Sequence, residues 1–201
     1  MKKLLENYYF NSQKTHIAYE ISVQLTELIL KSDKSLRDIV VLCIGTDRST
    51  GDSLGPIVGY KLLNHPKNNL TVYGTLDNPV HALNLCETLE MIKRNHSNPY
   101  IIAIDASLGA AEHVGYITIG TGPVKPGLGV NKSLPDVGDI HITGIVNISG
   151  CMDPMLLQTT RLKTVMKLAD IISTSLIYSL IPSYSAPKRL WWKSLRTSNQ
   201  V

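Results

Sequence analysis

The sequence predicts an α/β protein of three layers, in which helices cover both faces of a mostly parallel β-sheet. Apolar runs of strand length alternate with amphipathic segments of helical length, which is the pattern of this fold class. Two of the runs, DIVVLCIG (38–45) and NPYIIAIDAS (98–107), are apolar almost throughout, as is typical of strands buried on both faces. A chain of 201 residues is expected to form one domain, covering 1–201.

The first two helices are predicted from their apolar spacing and their ends. Residues 16–32 carry apolar positions at helical intervals after a polar lead-in. The second helix is expected at 53–64, with Pro56 in its first turn, where a missing N–H costs nothing. Its N-cap is expected to be Asp52 or Ser53, because both side chains can accept a hydrogen bond from the first free N–H groups.

The remaining elements are a strand at 69–76, a helix at 81–95, the strand at 98–107, a more exposed strand at 114–120, a strand at 140–149 and a long helix at 153–181. The last helix is expected to have Asp153 as its cap and Pro154 at its first position. Between the strands, 121–139 is so rich in Gly and Pro that we expect a functional loop. The ends, 1–15 and 187–201, are expected to be flexible or separately packed.

The charge of the chain lies mainly in its last residues. The net charge is +4, and much of the basic excess falls in KRLWWKSLRTSNQV at 188–201, which also holds Trp191 and Trp192. A basic tail with two indoles can dock nucleic acid or anionic lipid, or it can pack onto the domain. Because no RNP-like or helix-turn-helix signature accompanies the tail, a nucleic-acid partner is not expected.

Cysteine usage and hydropathy favour a cytoplasmic protein. The three cysteines are far apart and lack C-x-x-C spacing, which argues against a disulfide framework and against structural zinc. The N-terminus has no apolar core of a signal peptide. The most apolar long segment, 165–182, contains Lys167 and Asp170, so we expect a buried helix there and no membrane span.

The tetrapeptide GDSL at 51–54 is also the signature of a class of serine esterases. A nucleophilic Ser53 would need a histidine base and an acid to orient that base, which such esterases draw from a downstream D-x-x-H pair. No D-x-x-H occurs in the chain, and no histidine follows His141. Ser53 is therefore expected at a helix start and not as a nucleophile.

Two aspartates are the candidate catalytic residues. Asp52 lies at a strand-to-helix turn, where the helix dipole favours its ionised form, and Asp105 ends a buried strand, where desolvation raises its pKa. The carboxyl ends of parallel strands meet at one edge, so we expect the two acids to lie close together. A pair that shares one proton can activate water for attack on an amide. The alternative is that Asp52 only caps and Asp105 only binds loop amides.

Other polar groups can lie near this edge. The loop 121–139 offers backbone N–H groups at Gly127 and Gly129 for an anion or a substrate backbone, but it has no P-loop order. Asp47, Arg48 and Asp77 lie on neighbouring loops and are also typical turn residues. A metal bound by the two acids would need a histidine as a further ligand. The histidines available for it are His81, His113 and His141.

Taken together, GTDRSTGDSLGP, IIAIDAS, TGPVKPGLGVNKS and IHITGIVN resemble the YyaC family of sporulation proteins. That family is related to the germination protease of spore-forming bacteria and, more remotely, to hydrogenase maturation endopeptidases, which share a phosphorylase/hydrolase-like α/β/α sandwich. The resemblance spans about residues 38 to 150. The catalytic aspartates proposed for the germination protease correspond to Asp52 in TGDSLGP and Asp105 in IDAS.

The resemblance implies a cytoplasmic peptidase of a spore-forming bacterium that acts on a protein or peptide. Asp52 and Asp105 are its expected catalytic residues, Gly127, Gly129 and Asp77 its expected substrate-binding residues, and no cofactor or metal is expected. Two alternatives remain open: a non-catalytic binding module of sporulation, and a metal-dependent endopeptidase. Whether the chain forms a homo-oligomer is also left open.

Overall fold

The computed structural model describes residues 7–32, 38–66, 70–126, 134–150 and 152–181. In these ranges the chain forms six strands and five α-helices. In chain order they are β1 (Asn7–Asn11), α1 (Ile17–Leu30), β2 (Ile39–Cys43), α2 (Leu54–Leu63), β3 (Thr71–Tyr73), α3 (Leu85–Asn95), β4 (Tyr100–Gly109), β5 (Tyr116–Thr121), β6 (Ile140–Ile148), α4 (Asp153–Gln158) and α5 (Leu162–Leu180).

The six strands form one mostly parallel sheet in the order β1-β5-β6-β4-β2-β3. β2 pairs in parallel with β3 and β4, and β4 pairs in parallel with β6. β5 runs antiparallel to β6, and β1 runs antiparallel to β5. The predicted α/β class with a mostly parallel sheet is therefore confirmed.

Helices cover both faces of the sheet, as the residues of β2 show. Its side chains alternate between faces, so Val41 and Cys43 join the larger core, which also contains apolar residues of α1, α2 and α5. Val40 and Leu42 face the other way and join a smaller core with Leu85 of α3. All four are fully buried, which explains why this strand is an uninterrupted apolar run.

The N-terminal strand β1 differs from the prediction of a flexible or separately packed end. Residues Asn7–Asn11 pair along their whole length with β5. Tyr8 and Phe10 pack against the larger core, whereas Tyr9 is 58% exposed. This alternation is the ordinary pattern of a half-buried edge strand. The other predicted end, 187–201 with its two tryptophans, lies outside the described residues.

The predicted helix at 153–181 is two helices, so that prediction was wrong. Thr159 and Thr160 lie at the break, and their hydroxyls donate hydrogen bonds back to Met155 O and Leu156 O. Such bonds compete with continued helical pairing. Asp153 is also not the N-cap, because that position is Met152; its carboxylate accepts a hydrogen bond from the N–H of Gly150. None of the helices in the described ranges has the length and apolar character that a membrane span requires.

Candidate active site

A cavity of about 370 Å³ opens at the edge of the sheet where β2 and β4 lie side by side. The chain leaves β2 for β3 on one side and comes back to β4 on the other, which makes this edge the switch point where α/β sheets usually bind ligands. The cavity is lined by Ile44, Gly45, Thr46, Asp47, Arg48, Ser49, Asp52, Pro79, His81, Ala82, Leu83, Asp105, Pro126, Leu134, Pro154, Leu157 and Gln158.

The turn after β2 is folded tightly enough to require glycine at its first position. Gly45 has φ +139°, and a Cβ built on it would lie 2.0 Å from the backbone oxygen of Asp52. A side chain cannot be accommodated at that distance, and this φ is one that L-residues rarely adopt. The close approach of Gly45 to Asp52 holds the aspartate beside the end of β2.

Asp52 is partly buried, and its carboxylate is oriented by the same turn. Its Oδ2 accepts a hydrogen bond of 2.9 Å from the N–H of Thr46. Of the two residues predicted for the N-cap of α2, Asp52 does not hold that position, which is Ser53. Burial raises the pKa of Asp52, while the Thr46 N–H and the nearby His81 act in the opposite direction.

Ser53 occupies the N-cap position of α2 but makes no side-chain cap either. The residue is 6% exposed, and its hydroxyl donates a hydrogen bond of 2.6 Å to the carbonyl of Thr50. It is not among the residues that line the cavity. A buried hydroxyl that is engaged in this way fits a structural role in the turn and not a nucleophilic one. Pro56 lies in the first turn of α2, as predicted.

Asp105 lies inside β4, at the level where β2 ends. The last pair between the two strands is Cys43 with Ile104, while β4 continues beside β6 to Gly109. The prediction that Asp105 ends its strand was therefore wrong, although the residue does lie at the switch point. It is 7% exposed, and its Oδ1 accepts a hydrogen bond of 2.8 Å from the N–H of Ala106.

The two carboxyl groups interact electrostatically across the cavity. Burial raises the pKa of Asp105 well above its usual range, the charge of Asp52 raises it further, and the Ala106 N–H lowers it. The more deeply buried Asp105 is therefore the group that keeps a proton, and the more accessible Asp52 is the group that ionises first. Such a pair can offer one acid and one base near neutral pH.

Of the other predicted site residues, some line the cavity, one does not, and two lie outside the described residues. Asp47 and Arg48 are exposed and line the cavity. Asp77 is exposed on the loop after β3 and is not among the lining residues. Gly127 and Gly129 lie outside the described residues, but Pro126 and Leu134, on either side of that segment, both line the cavity.

The three candidate histidines do not come together. His81 lines the cavity. His113 contacts the rings of Tyr9 and Tyr116, and His141 Nδ1 lies 3.1 Å from the carbonyl oxygen of Gly122. In the part of the chain that the structure describes, no three His, Cys, Asp or Glu side chains form a group that could hold a metal ion.

Sequence reasoning did not find two further features of the cavity. Ser49 Oγ is buried and, within the described ranges, has no hydrogen-bond partner. Leu83 is 78% exposed at the cavity although it is apolar. The only sequence signal for Ser49 was its position between β2 and α2. Leu83 was missed because helical periodicity placed it inside a helix that in fact begins at Leu85.

Comparison with known proteins agrees with the motifs. The chain is 54% identical over 140 residues to the uncharacterized protein YyaC of Bacillus subtilis (strain 168), covering 70% of this chain and 68% of YyaC. The resemblance to the YyaC family is therefore confirmed. The chain is also similar to the crystal structure of the NiFe hydrogenase maturation protease HycI from Thermococcus kodakarensis KOD1. The two sequences are 17% identical, the match covers 76% of this chain and 98% of HycI, and the TM-score is 0.42. A likeness at that level does not bear on activity.

The family comparison covers most of the chain. Residues 9–175 match the family model described as a protein of unknown function, DUF1256. That range includes the whole sheet except the first residues of β1, and it includes Asp52 and Asp105. The chain belongs to the DUF1256 family.

Proposed function

We propose that the protein is a peptidase in which Asp52 and Asp105 activate water for hydrolysis of an amide bond. One observation carries the proposal: two carboxyl groups with raised pKa values line one cavity and interact electrostatically. Burial of a second acid beside a first, at a switch point, is costly for stability and common in acid–base sites. The motif resemblance of Asp52 and Asp105 to the aspartates of the germination protease gives independent support.

Asp52 acts as the base in this mechanism. It is the more accessible carboxyl, and the Thr46 N–H donates to its Oδ2 and so favours the ionised form. A water molecule held by Asp52 attacks the carbonyl carbon of the substrate, and its proton passes to Asp52. The Thr46 hydrogen bond keeps the carboxylate in one orientation while the proton moves.

Asp105 acts as the acid. Its proton passes to the amide nitrogen as the carbon–nitrogen bond breaks, so that the products are a carboxylic acid and an amine. This leaves Asp52 protonated and Asp105 ionised. Transfer of the proton from Asp52 to Asp105, directly or through a water molecule, restores the starting pair. The sequence of steps needs no cofactor.

The substrate in this proposal is a protein or peptide of the sporulating cell, as the family resemblance implies. The segment that contains Gly127 and Gly129 would bind the substrate backbone beside the cavity, since Pro126 and Leu134 line it on either side of that segment. Asp77, which is not among the lining residues, stays a prediction for contact with a more distant part of the bound chain.

The test is incubation of the purified protein with an extract of sporulating cells, followed by mass spectrometry of newly formed termini. We expect the parent chain to produce termini that Asp105→Asn does not produce. Glu90→Gln serves as the matched control, because it also converts a carboxylate to an amide but lies exposed on α3. Equal termini from the parent and Asp105→Asn would refute the dyad. Binding of an extract protein without cleavage would favour the non-catalytic module.

A further inference from the structure

His81 is held in the cavity wall by a network of local hydrogen bonds. The N–H of Leu83 donates to His81 Nδ1 at 3.3 Å, and the N–H of His81 donates to Asn84 Oδ1 at 2.8 Å. The amide of Asn84 in turn donates to the carbonyl of Pro79 at 3.0 Å. These contacts form a turn before α3, which begins at Leu85.

The hydrogen bond from Leu83 determines which ring nitrogen carries the proton. In a neutral imidazole one nitrogen is a donor and the other an acceptor. Since Nδ1 accepts from Leu83, Nε2 is the protonated donor. Among the described residues, no group is hydrogen-bonded to Nε2. His81 therefore presents a preset donor at a cavity that also contains Asp52 and Asp105.

Hydrolysis of an amide needs such a donor, because negative charge develops on the carbonyl oxygen when water attacks. Three backbone N–H groups of the turn after β2 are already used. Gly45 N–H donates to Val80 O, Thr46 N–H to Asp52, and Arg48 N–H to Thr46 Oγ1. A side-chain donor is thus better placed than these amides to meet the developing charge.

We propose that His81 is a third catalytic residue, whose Nε2–H binds the substrate carbonyl oxygen and stabilises the oxyanion formed on attack by water. This inference rests on the proposed peptidase function. It adds to that function a hydrogen-bond donor for the substrate carbonyl oxygen. In this role His81 transfers no proton; Asp52 and Asp105 carry all proton movement. The role is that of a fixed dipole, which stabilises charge without reorganising during the reaction.

The kinetic test compares His81→Phe, which keeps an aromatic ring without a donor, with His81→Gln, which keeps an N–H donor. Relative to the parent, we expect His81→Phe to lower kcat by about 10² or more with little change in KM, and His81→Gln to recover part of the loss. His113→Phe is the matched control, because His113 contacts Tyr9 and Tyr116 away from the cavity. An unchanged kcat in His81→Phe would overturn the inference and leave the aspartate dyad standing.

A second measurement does not depend on turnover. In the parent chain labelled with ¹⁵N-histidine, the imidazole nitrogens of His81 should show an unprotonated Nδ1 and a protonated Nε2 in the absence of substrate. A proton on Nδ1 in the neutral ring would overturn the inference even if the protein is an active peptidase. A parent chain with the expected tautomer that leaves every extract protein uncut would refute the proposed peptidase, and with it the donor role.

Discussion

Replacement of Asp105 by Asn should stabilise the protein at neutral pH while it removes the proposed acid. Asp105 is 7% exposed in β4, and both burial and the charge of Asp52 raise its pKa well above the usual range. In the unfolded chain neither effect operates. The folded protein therefore has to keep a proton on this carboxyl, or bury a charge, whereas the unfolded chain ionises freely.

The magnitude follows from proton linkage. The pKa of Asp105 is raised on folding. The contribution of this carboxyl to the free energy of unfolding is therefore fully present below the unfolded pKa of about 3.9 and is lost as pH rises through the folded pKa. Between the unfolded pKa and the folded pKa, the folded chain binds one more proton than the unfolded chain. The free energy of unfolding of the parent should then fall by about 1.4 kcal/mol per pH unit on account of this group. An amide does not titrate, so Asp105→Asn lacks this slope.

The assay is urea-induced unfolding of the parent and Asp105→Asn at a series of values from about pH 4 to about pH 8. The free energy of the variant minus that of the parent should rise with pH and level off once the folded pKa is passed. The N–H of Ala106 keeps an acceptor in the variant, because the Asn oxygen can replace the carboxylate. Asp52 titrates in both chains, so the effect of its own burial cancels and the difference reports Asp105 together with its coupling to Asp52.

A difference that stays flat across this range would refute the reasoning, since it would show that Asp105 has the same pKa in the folded and unfolded chains. A difference that falls with pH would show that ionised Asp105 is favoured in the folded protein. Glu90→Gln, exposed on α3, is the matched control for a carboxylate-to-amide change away from the cavity.

Three further predictions concern the same turn and the cysteines. Gly45→Ala should lower the free energy of unfolding, measured by urea titration, by at least about 2 kcal/mol. The alanine Cβ would lie 2.0 Å from Asp52 O, and the φ of +139° is unfavourable for alanine. An unchanged free energy would contradict the tight turn. Ser49→Ala should leave that free energy unchanged or raise it by up to about 1 kcal/mol, because it removes a buried hydroxyl with no partner among the described residues. A loss of several kcal/mol would reveal a partner. Iodoacetamide should alkylate Cys86, which is exposed, before Cys43, whose pKa is raised by burial, as measured by peptide mapping of the native protein.

The sequence was sufficient to predict the burial of the strands and the approximate place of the two acids. A strand that is apolar throughout has to lie between two layers, and consecutive parallel strands end at one edge of a sheet. These two rules bring Asp52 and Asp105 to the same cavity without any knowledge of the register. They could not place Asp105 inside β4, because the length of β4 depends on its pairing with β6 beyond the end of β2.

Other errors came from side chains that bond to nearby backbone. The predicted helix at 81–95 begins at Leu85, after a turn in which the Asn84 side chain accepts the N–H of His81. The predicted helix at 153–181 breaks where the hydroxyl of Thr160 donates to Leu156 O. Periodicity detects the apolar face of a helix but is insensitive to such local competition, so the boundaries are the least predictable part.

The tetrapeptide at 51–54 shows how a local motif acquires its meaning from packing. Gly51 donates its N–H to Leu157 O of α4 at 2.8 Å, and a Cβ on Gly51 would lie 2.9 Å from that oxygen. Asp52 turns its carboxylate to Thr46, Ser53 is buried, and Leu54 is 0% exposed. The turn that holds Asp52 is thus hydrogen-bonded to α4, which lines the cavity with Pro154, Leu157 and Gln158. Movement of α4 would therefore shift the turn that carries the proposed base.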